Sequence, residues 1–308
     1  MISKLTRIIL FGGTLLGGTA LLVAQTDARK TFASPEEARD ALIEAAGKGL
    51  DEVRVIFGPG AAEIVRTGDE VADKNVLKRF TQLAAEKTQL EAQEMNPDRM
   101  TLSVGIIQWP FAVPLRRKNG RWYWDIEGGK AEIRWRTIGG NELSAMEVCR
   151  GYVEAQKIYS ETDWDGNGTL EYASKIVSTD GKKDGLYWPG EDSPVAAGFA
   201  KAVAEGYPQP AGTPKPYHGY FYRVLFGQGP HAAGGAQDYL VKKLMIGGFA
   251  LVAWPAEYGV SGIMTFIVNQ GGVLYEKDLG PRTGTLAKAM TKFDPDKTWR
   301  PAPEDPLP

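Results

Sequence analysis

Disulfides, histidine clusters and net charge are all scarce in this chain. A single cysteine, Cys149, excludes an intramolecular disulfide. Only two histidines, His218 and His231, are present, so a three-histidine zinc site cannot form within one chain. The 36 basic and 38 acidic residues nearly cancel to a formal net charge of −2, which gives no overall electrostatic reason to expect a nucleic acid or an anionic membrane as partner. Neither a Gly-x-Ser-x-Gly elbow nor a His-Glu-x-x-His pair occurs, and the glycine-rich stretch 227–235 lacks the spacing and strand-to-helix context of a phosphate loop. The reaction, if there is one, is not written in a motif.

What is present is an ordinary globular composition, 43% hydrophobic and 24% charged, in 308 residues. That length exceeds the usual ~100–200 residues of one domain and predicts two modules. The N-terminus carries Lys4 and Arg7 before an uncharged run, residues 8–24, of signal-peptide length. Cleavage is expected after Ala24, with Ala28 the weaker site, and the product is expected in the periplasm or outside the cell. No cysteine stands near the cut, which excludes a lipoprotein anchor. An uncleaved anchor is disfavoured because the run falls just short of a bilayer span and holds four glycines.

Ser34, Pro35 and the acids Glu36 and Glu37 announce a helix ending at Gly47 or Gly49. A short helix over 61–67 and a longer one over 74–93 follow. Strands are expected over 100–107, 111–117 and 122–126, the last two joined by Asn119-Gly120, and over 132–136 with Ile138. Helices followed by an antiparallel meander give an α+β module over residues 30–138. Its pattern resembles the cone-shaped cystatin-like and nuclear-transport-factor-like folds, whose opening helices pack into a bent sheet. Such cones hold enzymes and plain binding pockets alike.

A second α+β module, 139–295, starts with a helix over 141–159 whose stripe is read as Leu143, Met146, Val148, Val153, Ala155, Ile158 and Tyr159. Cys149 lies inside that pattern as a small core residue rather than a nucleophile. The helix runs into Asp163-Trp-Asp-Gly-Asn-Gly-Thr-Leu-Glu171. Read as a calcium loop, Asp163, Asp165 and Asn167 supply oxygens at positions 1, 3 and 5, Thr169 its carbonyl at 7, and Glu171 falls at 9, with Leu170 pinning the loop to a core. Position 12 is Ser174 instead of the bidentate Glu of a full EF-hand. The alternative is a tight Asx turn. Further on, a helix over 194–205, a proline-rich loop over 207–216, strands over 217–226, 249–254, 262–269 and 273–277, and a helix over 284–292 are expected. A Pro-rich tail, 296–308, is expected to be poorly ordered.

The segments 141–172, 184–189, 217–222 and above all MIGGFALVAWPAEYGVSGIMTFIVNQGGVLYEKDLG, 245–280, resemble the bacterial family termed domain of unknown function 2950 over essentially the whole mature chain. That resemblance implies no activity, cofactor or catalytic residue. The second half is also similar in plan to the globular part of type IV pilins and pseudopilins, through Tyr152-Val-Glu-Ala-Gln156, Tyr159 and the strands at 250–255, 262–267 and 272–275. The long pilin helix with its prepilin cleavage site is missing. The likeness therefore implies a pilin-like binding module and not a polymerising pilin.

Three functions follow as expectations. The leading one is an exported cell-envelope protein that serves as a non-catalytic binding or structural module with a calcium loop. A hydrolase-like enzyme would use His218 with a nearby carboxylate, and it requires a cavity beside that histidine. A carbohydrate or peptidoglycan binder would expose Tyr187, Trp188, Trp254 and Tyr258 together beside the proline loop; burial of these rings would remove its basis.

Overall fold

The computed structural model describes residues 29–61, 69–93, 96–195 and 215–304. The expected signal segment, the helix over 61–67 beyond Ala61, nearly all of that over 194–205, and the proline-rich loop up to residue 214 lie outside the described residues. The fold is α+β, with open antiparallel sheets.

Helix α1 (Pro35–Lys48) starts where expected. Ser34 Oγ accepts the Glu37 N–H at 3.0 Å while Glu37 Oε2 accepts the Ala33 N–H at 2.7 Å, so orphan donors at the helix start are met reciprocally. Gly49, at φ 135°, ends it and leads directly into α2 (Leu50–Phe57). Asp69 caps α3 (Glu70–Glu86) by accepting the Val71 and Ala72 N–H groups. The helix expected to reach residue 93 stops at Glu86, and Thr88–Gln93 forms strand β1. Five of its six residues are good helix formers, and six register partners on β2 (Asn96–Val104), Leu90 opposite Leu102 among them, override that preference.

The first sheet runs β1-β2-β4-β5, with β4 at Leu115–Lys118 and β5 at Arg121–Trp124; β3 (Trp109–Pro110) pairs with β2. Asn119 and Gly120 have φ 53° and 74°, the paired left-handed conformation that a two-residue hairpin demands. Trp122 and Trp124 both face the first core, where the Trp124 indole donates to the Ala38 carbonyl at 3.2 Å.

Residues 132–138 are helical, not extended. They belong to α4 (Ile126–Tyr159), a single helix of 34 residues. The alternation of Ile133 and Trp135 with arginines imitated a strand, and two Gly-Gly pairs imitated breaks. Gly129 is instead required by close approach: a Cβ there would lie 2.8 Å from the Ala112 carbonyl oxygen and the Val113 Cα. Gly139 and Gly140 face open space and are simply tolerated. The module boundary placed at 138/139 thus falls inside a continuous helix. Ile126 at its start belongs to the first core, and Ala145 to Tyr159 belong to the second.

The second sheet runs β14-β13-β12-β11-β6: Arg300–Pro301, Tyr275–Asp278, Met264–Asn269, Ala250–Pro255 and Tyr220–Leu225. All six residues of β11 are buried, as in a strand covered on both faces, and both α4 and α5 (Thr283–Ala289) pack against it. The buried stripe of α4 in the second core is Ala145, Met146, Cys149, Tyr152, Val153, Ala155, Gln156 and Tyr159; Leu143 and Ile158 point outward. The proline-rich tail is ordered through residue 304. Its strand β14 pairs with β13, Arg300 Nε meets Glu276 Oε1 at 2.7 Å, and the Ala302 N–H donates to the Leu274 carbonyl.

Short polar contacts tie the two halves together. Asp69, 3% exposed, caps α3 with Oδ1 and accepts the Gly219 N–H with Oδ2 at 3.1 Å. Asn141 Nδ2 donates to the Ser261 carbonyl, and Glu142 Oε1 accepts the Ile263 and Met264 N–H groups, all at 2.9 Å. Replacing Asp69 with Ala removes a cap and leaves the buried Gly219 N–H unpaired. The fold is expected to lose about 2 kcal/mol, read as a lower denaturation midpoint in urea. An unchanged midpoint would show that this contact contributes nothing.

Candidate functional site

The acidic loop leaves the C-terminus of α4 and is anchored on both sides of its tip. Trp164 donates its indole N–H to the Tyr159 carbonyl at 3.0 Å and packs 4.8 Å from Trp188. After the tip, the Tyr172 N–H donates to the Met245 carbonyl and Glu171 Oε2 accepts the Met245 N–H at 3.1 Å. Buried Gln156 then exchanges both hydrogen bonds with the Ala173 backbone, each at 2.8 Å. Leu170 does not pin the loop: it is 58% exposed, and Glu171 and Tyr172 make the attachment instead.

Within the loop, Asp163 accepts the Asn167 N–H at 3.1 Å and the Gly168 N–H at 2.8 Å, one on each carboxylate oxygen. The Gly168 bond foremost, with that from Asn167, holds the Asp163 carboxyl below the usual carboxylate range. Asp165 Oδ2 and Glu171 Oε1 both face the Asn167 side-chain amide nitrogen, at 2.9 and 3.4 Å. Asn167 Oδ1 turns away to accept the Thr169 N–H at 2.8 Å. The loop is therefore an Asx-turn network in which an amide N–H₂ stands between two carboxylates. Among the described residues, no three His, Cys, Asp or Glu side chains converge closely enough to hold a metal ion. A cation here needs the Asn167 amide rotated so that its oxygen faces inward, together with the Thr169 carbonyl.

The four rings expected to share a surface do not. Trp188 is 4% exposed, beneath the Lys183 ammonium at 5.1 Å, and its indole donates to Asp192. Trp254 is 6% exposed and packs against Phe221. Tyr258 donates to Asp278, and the Tyr187 backbone bonds to Ile176 and Ser178. An apolar indole buries more area inside than a ligand platform can afford to leave wet, so the core took both tryptophans.

His218 lies in a two-residue turn and not in a strand. Its φ is 48° and that of Gly219 is 72°, with Tyr217 and Tyr220 exchanging backbone hydrogen bonds across them. The ring is half-buried, 4.2 Å from that of Tyr217. A cavity of about 720 Å³ opens in the other half of the chain, among Lys48, Asp51, Glu70, Asp73, Lys74 and Lys78; His218 is not on its wall. Asp69 and Gly219, which fix this turn, were missed in the sequence. An Asp immediately before an apolar helical pattern was the signal for the cap, but nothing in the sequence announced its second partner.

Cys149 and Asp184, both in the second half, carry displaced titrations. Burial pushes the Cys149 thiol up to about 12, the neighbouring Arg150 opposing only in part. Burial also works to raise Asp184, but the Lys175 ammonium and the Thr179 N–H and hydroxyl outweigh it and hold the carboxyl at about 2. Cys149 is expected to ignore thiol reagents at neutral pH until denaturant is added; labelling of the native protein would refute its burial. Asp184, ionised more readily folded than unfolded, adds stability above the unfolded carboxyl value. That contribution is expected to disappear as pH falls from about 4 to about 2. Asp184→Asn should flatten the fall in melting temperature over that window.

No helix among the described residues is long and apolar enough to cross a membrane. Neither the curated proteins nor the solved structures contain a match to this chain. A family model, described as a protein of unknown function (DUF2950), matches residues 29–302, from the first described residue to just beyond β14. The chain belongs to the domain of unknown function 2950 family.

Proposed function

We propose that this protein is exported to the cell envelope and acts there as a non-catalytic binding or structural module, with its acidic loop taking a calcium ion. The observation that carries the calcium reading is the placement of the Asn167 amide nitrogen between Asp165 and Glu171. A partial positive charge stands there now, and a divalent cation satisfies the same carboxylates better once the amide turns over. Calcium accepts mixed carboxylate, amide and carbonyl oxygens in flexible geometry, which suits a loop without a bidentate twelfth-position Glu. Glu171 would then join the ion to β10 (Leu244–Met245) and so fasten the end of α4 to the second core. Lys4 and Arg7 before the uncharged run 8–24 support export. The pilin-like plan of the second half supports a binding module, since one long helix there lies against an antiparallel sheet.

The test is calcium titration calorimetry on the chain from Gln25, with Asp163→Ala and Asp165→Ala beside it. Saturable heat in the parent and none in either variant is expected, together with a calcium-dependent rise in melting temperature. Absence of both in the parent reduces the loop to a turn. N-terminal sequencing of protein made in cells checks export separately: a start at Gln25 is expected, and an intact Met1 would count against it.

A further inference from the structure

Among the described residues, three tight hairpin turns have both central residues left-handed. Two use glycine at the second position, Asn119-Gly120 and His218-Gly219. The third joins β9 (Leu240–Val241) to β10 through Lys242 and Lys243, with φ 52° and 73°. Among the described residues it is the one pair of adjacent non-glycine residues in that conformation. A Cβ in the left-handed region is disfavoured, and such strain persists where the side chain has a task.

Both lysines are exposed, and neither forms an ion pair with another described residue. Residues 239–256 contain no Asp or Glu. The carboxylates brought near from elsewhere are engaged: Glu171 with the Met245 N–H and Asn167, Asp238 with Lys292 at 3.2 Å. Around the two charges stand Leu240, Val241 and Ile246, each 40–43% exposed, while Met245 is fully buried and roots the hairpin in the second core. The result is a protruding tip with two ammonium groups set directly among aliphatic side chains.

We propose that this hairpin tip docks onto anionic phospholipid headgroups, its lysines meeting phosphate while Leu240, Val241 and Ile246 enter the boundary with the acyl chains. Cations beside apolar side chains fit that layered surface, because the stems stay in the apolar zone and the ammonium groups reach the headgroups. A protein partner is disfavoured by size. One hairpin offers a handful of side chains where a stable interface uses about 20–30 residues a side. The proposal stands apart from calcium, since neither lysine belongs to the acidic loop.

The decisive variant is Lys242→Asn with Lys243→Gly, which installs the turn chemistry of 119–120 and removes both charges. Sedimentation with vesicles of phosphatidylglycerol and phosphatidylcholine, against phosphatidylcholine alone, uses the chain from Arg29, which contains every residue of both cores. The parent is expected to bind the anionic vesicles selectively and to lose that binding in high salt. The variant should melt higher and bind about thirty-fold more weakly, from roughly the attraction per lysine near an anionic surface. Equal binding to both vesicle types, or a variant that binds as well as the parent, overturns the proposal. So does a parent that self-associates through the tip, seen as a dimer in sedimentation velocity that the variant abolishes while neither binds vesicles.

Discussion

An uninterrupted helix, α4, is the constraint on which the rest of the molecule depends. At 1.5 Å per residue its 34 residues extend about 50 Å, long enough to leave one core and end in another. Its first turn closes the first core through Ile126, and its last four turns supply the floor of the second. Because a helix does not bend freely, the two sheets are held at a separation set by covalent geometry. The polar ties at Asp69, Asn141 and Glu142 then have to fix only a rotation. That explains why each meets a backbone group rather than another side chain: the backbone of residues 261–264, leading into β12, and of the turn at 218–219 is already held by its own hydrogen bonds.

Much of this was legible wherever a signal was local. Ser34 and Pro35 marked a helix start, Asn119-Gly120 marked a hairpin, and the buried Cys149 and the strands around 250–255 and 264–269 followed from composition and pattern. What escaped notice depended on partners distant in sequence. Thr88–Gln93 is a strand because β2 lies beside it. Residues 132–138 are helical because Gly129 lets the helix press onto 112–113, a contact that no window of neighbouring residues contains. The tail is ordered because β13 has a free edge to receive it. The acidic loop was found by its spacing, yet its attachment was misassigned to Leu170, since a sequence cannot show that Glu171 would meet a backbone N–H some seventy positions away. The aromatic surface failed for a related reason: ring content says how much area a residue can bury, not which side of the fold it will occupy.

The polar side chains of the second half share a habit. Gln156 serves the Ala173 backbone, Glu142 serves Ile263 and Met264, and Arg223 donates to the carbonyls that end α5. Each replaces a missing secondary-structure partner where the chain changes direction. Side chains used in this way hold the backbone in place, which accounts for hydrogen-bonding groups such as Gln156 inside the second core.

Strand β14 carries a further consequence, concerning order of events. The second sheet keeps an unpaired edge on β13 until residues 300 and 301 arrive, and among the described strands these come last in sequence. During synthesis they leave the ribosome after every other described strand of that sheet. The sheet therefore closes last, and Pro301, which has no N–H to offer, seals it against further strand addition. A chain made from its N-terminus thus keeps one edge of this sheet open until nearly all the rest of the sheet's strands are available to pair.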